Sequence, residues 1–201
     1  DKFVAGIIDF PNVAVLSDEI YSNMLYDEAS HVSLLQYPEL RRQLIMLDGW
    51  SKTYAMTGWR LGYAVWPSEL IPYAARLCIN DHSCVSTASQ YAGIAALTGP
   101  QDTIQAMIKE FSERRDLICR ELNAIPNFNC IKPGGAFYAF PNISLTGLSS
   151  EESQDLFLNK AGVATIAGTS FGEWGDGYLR FSYANSRENI SEAINRIKSC
   201  L

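Results

Sequence analysis

Leu44-Ile45-Met46-Leu47-Asp48-Gly49-Trp50-Ser51-Lys52-Thr53-Tyr54-Ala55-Met56-Thr57-Gly58-Trp59-Arg60-Leu61-Gly62-Tyr63-Ala64-Val65 sets two apolar runs on either side of a polar, basic loop. Neither run alternates polar with apolar residues, as a strand with one wet face would. Short unbroken runs of this kind suit strands covered on both faces in a mostly parallel sheet. A further run, Val13-Ala14-Val15-Leu16, lies upstream and leads into Ser17-Asp18-Glu19-Ile20-Tyr21. Helical spacing fills the intervals. Residues 2–10 carry Phe3, Val4, Ile7 and Ile8 on one side and stop at Pro11-Asn12. Residues 67–80 open on Pro67-Ser68, and residues 86–98 close on Gly99-Pro100. Strands alternating with helices make the class α/β.

A longer helical pattern spans residues 103–125, with Ile104, Met107, Ile108, Phe111, Ile118, Leu122 and Ile125 in period and Asp102 as its expected cap. It is long enough to run from one domain into the next. Beyond it the texture changes. Phe128–Ile131 and Ala136–Phe140 read as strands around Pro133-Gly134-Gly135, as do Val163–Ile166 and Tyr178–Tyr183. Glu151–Lys160 reads as a helix. So does the C-terminal segment, with Ser186 as cap and Ile190, Ala193, Ile194 and Ile197 as the buried stripe. The expected organisation is a large-domain portion over 1–115, then a small α+β domain over 116–201.

Composition narrows the function classes. The 201 residues include 16 Lys and Arg against 22 Asp and Glu, a net charge of −6. No basic run exists to track phosphates, so nucleic acid is not an expected partner. No stretch of 18 apolar residues exists to cross a bilayer, and the N-terminus lacks a signal-peptide pattern. Five scattered cysteines without a CxxC pair read as reduced thiols of a cytoplasmic protein. The two histidines, His31 and His82, sit at no zinc-ligand spacing, so no metal is expected.

The chemistry-bearing residues collect where the strands end. Asp18 follows the first run, and Ser51-Lys52 follows the second. Ligands of open α/β sheets bind outside the carboxyl ends of the strands. Three common loop types do not fit. Ser51 stands where a phosphate loop needs glycine, Thr53 where a nucleophile elbow needs glycine, and no G-x-G-x-x-G occurs. Taken alone, the residues leave plainer readings open. Asp18 would serve as a helix cap, Lys52 as a solvated charge, Tyr21 as a core tyrosine and Arg180 as a strand arginine paired across its sheet. Trp59 and Tyr63 read as core.

The segment from Gly49 to Tyr63 closely resembles the lysine signature of the class I/II aminotransferases, enzymes of fold type I that depend on pyridoxal phosphate. Asp18 with Tyr21, Lys52 with Arg60, Gly134-Gly135-Ala136-Phe137-Tyr138, and Arg180 in Leu179-Arg180-Phe181-Ser182-Tyr183-Ala184 follow the family's order across essentially the whole chain. The resemblance implies that Lys52 forms the Schiff base with pyridoxal 5'-phosphate and acts as base at the substrate α-carbon. Asp18 pairs with the ring nitrogen, Tyr21 bonds the ring hydroxyl, and Ser51 and Arg60 take the phosphate. Arg180 takes the substrate α-carboxylate. The implied reaction moves an amino group between an amino acid and a 2-oxo acid, in a homodimer.

Departures go with the likeness. Family members are roughly twice this length, and the chain matches their C-terminal half only, so a ring-stacking aromatic, an asparagine and much of the dimer surface are expected to be missing. Gly49 replaces a hydroxyl residue common in relatives. The alternatives are a non-catalytic remnant with a binding or assembly role, and a pyridoxal-phosphate C–S lyase on the same fold.

Overall fold

In the computed structural model, which describes all 201 residues, the three apolar runs form one sheet. Its strands are β1 (Val15–Asp18), β2 (Leu44–Gly49) and β3 (Gly62–Val65), in the order β1-β2-β3. β1 and β2 run parallel, with Asp18 opposite Leu47. β3 returns antiparallel to β2, with Gly49 opposite Gly62, so this portion of the sheet is mixed.

The sheet is covered on one face only, which corrects the expectation of two. Val15, Leu44 and Leu40 pack with Val4 of helix α1 (Lys2–Ile7), and Ile7, Leu34, Leu35 and Tyr37 close around them. Leu16 alternates to the other side of β1 and is 64% exposed. Helices α2 (Ile71–His82) and α3 (Thr87–Thr98) fall where the spacing predicts. Their apolar residues are not core residues, however. α2 buries nothing, α3 buries only Ser89 and Gly93, and Tyr73, Leu77, Tyr91 and Ile94 are exposed. These elements make up one compact unit, Asp1–Gln105.

The second unit is Ala106–Leu201. The change of unit falls in the first turn of α4 (Asp102–Asn123). Asp102 is the first residue of that helix rather than its cap, and the amides of Ile104 and Gln105 bond to the Gln101 carbonyl instead. The helix buries Arg115, Ile118, Cys119 and Leu122, a stripe at the helical period. A second sheet, wholly antiparallel, has the order β4-β6-β5, with β4 (Tyr138–Ala139), β5 (Ile166–Ala167) and β6 (Leu179–Ser182). The strand expected over Phe128–Ile131 reduces to a single bridge, Asn129 to Asn142, and Ile131 points into solvent.

Two helices complete the unit. α5 (Ser150–Leu156) opens on a capping box, in which the Ser149 hydroxyl accepts from the Glu152 amide at 3.2 Å and the Glu152 carboxylate accepts from the Ser149 amide at 2.9 Å. A wider helical turn continues it through Phe157–Ala161. α6 (Arg187–Lys198) starts at Ser186, whose hydroxyl accepts from the Asn189 amide at 3.1 Å, and it buries Ile190, Ile194 and Ile197. Leu122, Ile143, Phe157, Leu179, Tyr183 and Ile197 are fully buried in this unit.

Candidate active site

In the first unit, Trp50 fixes the loop that carries Lys52. Its amide donates to the Leu61 carbonyl at 3.1 Å, extending the β2–β3 ladder by one rung. Its indole N–H donates to the Gly93 carbonyl on α3 at 3.1 Å. Its carbonyl accepts from the Tyr54 amide at 3.1 Å, so the Ser51–Ala55 turn closes back on it. Gly49 permits this approach, because a Cβ there would lie 2.9 Å from the Leu61 carbonyl oxygen and 3.0 Å from the Gly62 Cα. Position 49 therefore has no room for a side chain. Ala55 (φ 53°) and Arg60 (φ 54°) both take the left-handed conformation, at about 1–2 kcal/mol each for a residue with a Cβ. Such outliers collect at functional loops.

The structure brings four of the predicted residues to the ends of adjacent parallel strands. Asp18 is the last residue of β1, exposed, with no cation in ion-pair contact, and its Oδ1 accepts from the Ile20 amide at 3.2 Å. Tyr21 follows in the turn beyond it. The Lys52 Nζ stands 6.0 Å from the centroid of the Tyr21 ring. Ser51 adjoins Lys52, half-buried. Arg60 lies further along the same loop, where its guanidinium donates to the Thr57 carbonyl at 2.9 Å.

Two supports of the site left no mark in the local sequence pattern. Glu19, next to Asp18, is buried, and its carboxylate takes His31 Nε2 at 2.8 Å, the Leu34 amide at 3.1 Å and the Ser17 hydroxyl at 3.1 Å. Burial pushes its pKa up, but hydrogen bonds from His31, Ser33, the Leu34 amide and Ser17 together outweigh it and hold Glu19 below the usual carboxylate range. The segment after β1 is thereby tied down from Glu19 to Leu34. Asp48 is the other support. It accepts from Ser22 and Tyr63 hydroxyls, each at 3.3 Å, and so joins the Tyr21 turn to β3. Burial and the Asp48 charge raise the Tyr63 pKa. Trp59 and Tyr63 are half-exposed rather than core residues.

Arg180 belongs to the second unit. It sits on β6 opposite Ile166, half-buried. The plain reading paired it across the sheet, and no such pair forms. No carboxylate reaches its guanidinium and none of its side-chain N–H groups is used. Its guanidinium lies instead over two aromatic rings, Tyr138 at 4.7 Å and Phe171 at 4.5 Å from the ring centroids. In the turn before β4, Ala136 takes the left-handed conformation (φ 57°) and its carbonyl accepts from the Tyr183 hydroxyl at 3.1 Å.

The family model described as "Aminotransferase class I and II" matches residues 4–197. The chain belongs to the class I and II aminotransferases. Among curated relatives, it is 42% identical to an aspartate aminotransferase of Pyrococcus horikoshii over its whole length and 51% of that protein. It is 36% identical to aromatic-amino-acid aminotransferase 2 of Thermococcus litoralis over its whole length and 52% of that protein. A solved aromatic aminotransferase from Pyrococcus horikoshii superposes with a TM-score of 0.92 and 38% identity, over 98% of this chain and 54% of the other. The chain thus spans about half the length of the aminotransferases it matches, and its fold is a portion of fold type I. No helix of this aminotransferase chain is long and apolar enough to cross a membrane.

Proposed function

We propose that this chain is an aminotransferase polypeptide that holds pyridoxal 5'-phosphate through Lys52 and exchanges an amino group between an amino acid and a 2-oxo acid. The observation that carries the reading is the meeting of Lys52 and Tyr21, Nζ to ring centroid 6.0 Å, at the ends of parallel strands, one of which terminates in Asp18. The donor set fits the cofactor chemically. It offers a carboxylate without a cation partner, an amine, a guanidinium without an acid, and a serine hydroxyl beside the amine. When bound, the cofactor supplies an electron sink for charge developing at the substrate α-carbon.

Each residue then has a definite task. The Lys52 amine is the covalent anchor and takes and returns the α-carbon proton. The Asp18 carboxylate keeps a proton on the ring nitrogen by offering it a negative partner. The Tyr21 phenol bonds the ring hydroxyl. Arg60 and Ser51 bind the phosphate, the guanidinium by its planar fork. Arg180 binds the α-carboxylate in the same manner. The reading extends to a cytoplasmic homodimer, supported by five free thiols and by the exposed apolar residues of α2 and α3.

The test is borohydride reduction of the purified chain with pyridoxal phosphate. One cofactor is expected on the peptide that contains Lys52, and none on the Lys52→Ala variant. The same adduct on the variant overturns the reading. The half-length match favours a second reading, cofactor binding without turnover. Yellow colour on addition of cofactor, with no 2-oxo acid formed from any amino donor, distinguishes it.

A further inference from the structure

Arg180 is unusual among the arginines of its unit. Arg114, Arg115, Arg120, Arg187 and Arg196 all pair with carboxylates of the same unit. Arg180 pairs with none, although it is half-buried and nearby residues include Glu173 and Asp176 in sequence. Its guanidinium lies over two rings. Tyr138 reaches it along the sheet, because Tyr138 lies opposite Ser182 and so diagonally across from Arg180. Phe171 reaches it from the helical turn Gly168–Phe171 after β5. Each ring is itself held. Phe171 meets the edge of Phe140 at 6.2 Å and 78°, Phe140 stacks on Tyr178 at 5.1 Å and 8°, and Tyr138 packs on Phe137 at 4.7 Å.

An aromatic face attracts a cation but accepts no hydrogen bond from the in-plane N–H groups of a guanidinium. Two ring contacts therefore restrict the Arg180 side chain and leave its N–H groups unspent. Those groups are the part that engages both oxygens of a carboxylate at once. We infer that Tyr138 and Phe171 are positioning residues, which hold the Arg180 fork in the orientation that receives the substrate carboxylate. The inference rests on the reading of Arg180 as the carboxylate-binding residue, and it adds to that reading how the fork is aimed. Ordering a long side chain before its ligand arrives removes that cost from the binding step, so losing one ring should weaken carboxylate binding roughly three- to tenfold.

The experiment follows the Arg180 side-chain Nε–H signal by nitrogen NMR in the full chain, assigned by its loss in Arg180→Lys. Succinate, a dicarboxylate with no amino group to transfer, is titrated in. In the wild-type chain the signal is expected to start ring-shifted and to move on saturation. In Phe171→Leu the starting ring shift falls and the dissociation constant rises three- to tenfold at an unchanged melting temperature, and Phe171→Tyr restores both. Tyr138→Leu repeats the measurement at the other ring, and serves as the deciding variant where Phe171→Leu does not fold. A leucine variant that binds succinate as tightly as the wild type overturns the positioning role and leaves the carboxylate reading intact. A wild-type signal that succinate does not move overturns the carboxylate reading, and the positioning role with it.

Discussion

The two units of this chain bury their apolar residues to very different extents. Ala106–Leu201 places a helix stripe, a three-stranded sheet and α6 around one another, so that Leu122, Ile143, Phe157, Leu179 and Ile194 are shielded almost completely. Asp1–Gln105 buries fewer apolar residues, among them Val15, Leu44, Met24 and Tyr26, while Leu77 of α2 stays 67% exposed and Tyr91 of α3 71% exposed. Each fully buried aliphatic side chain contributes about 1.5–3 kcal/mol. The second unit thus holds most of the stabilising burial, and the first holds most of the residues proposed to carry the chemistry. Apolar surface rimmed by polar groups marks a face that another surface covers. Helical spacing alone does not distinguish a helix facing its own core from one facing a partner.

The comparison breaks most visibly at a pair of leucines. Leu179→Ala removes a fully buried side chain from the central strand of the second sheet and is expected to cost about 2–5 kcal/mol. Leu77→Ala on α2 is expected to change the unfolding free energy by less than about 0.5 kcal/mol. Urea unfolding of both variants measures the contrast. A large loss at Leu77 that grows with protein concentration would show that its face is an interface. Next in size is Gly175→Ala. A Cβ there would meet the Gly168 carbonyl oxygen at 2.0 Å and its carbon at 2.3 Å, both backbone atoms that cannot rotate away. The cost is about 1–3 kcal/mol. Since Gly168 opens the turn that ends in Phe171, the Arg180 ring shift should fall with it.

The strands and helices of the first unit were legible because continuous apolar runs and helical spacing are local signals. Val15–Asp18, Leu44–Gly49 and Gly62–Val65 all lie at or within a residue or two of the runs that announced them. Burial was less legible, because it depends on what covers an element. Leu16 sits in an apolar run and is exposed; Arg115 is charged and wholly buried, held by Ser112, Asp116 and the Pro133 carbonyl. The site residues were read through resemblance to a family. Their supports were not, since Glu19 with His31, Trp50 with Gly93 and Arg180 with Phe171 join positions from different elements. Residues 128–131 failed as a strand for the same reason: only Asn129 finds a strand partner, and the Cys130 backbone bonds the Asn123 side chain instead.

Caps offer a finer measure of the well-packed unit. Ser149→Ala removes one half of the capping box of α5 and is expected to cost about 1 kcal/mol in urea unfolding. Restoring the acceptor as Ser149→Asp should recover most of it.

The smallest expected effect separates the second unit from the first by pH. The Glu110 carboxylate takes hydrogen bonds from Arg187 and from Arg114, the latter at 2.8 Å, and these lower its pKa from an ordinary 4.5 to about 2. A carboxyl with a depressed folded-state pKa stabilises the fold above its unfolded value, and loses that contribution as pH falls through the folded one. The contribution of Glu110 is therefore complete above about pH 4.5 and fades between there and about pH 2. The cluster is on the surface, so solvent and salt screen it, and the slope should flatten in high salt. Glu110→Gln should remove this part of the acid dependence and leave the neutral-pH spectrum unchanged. Urea midpoints measured from pH 5 to 2 on both proteins decide it: parallel curves would mean that Arg187 and Arg114 contribute nothing through Glu110, and that the second unit owes its stability to its core alone.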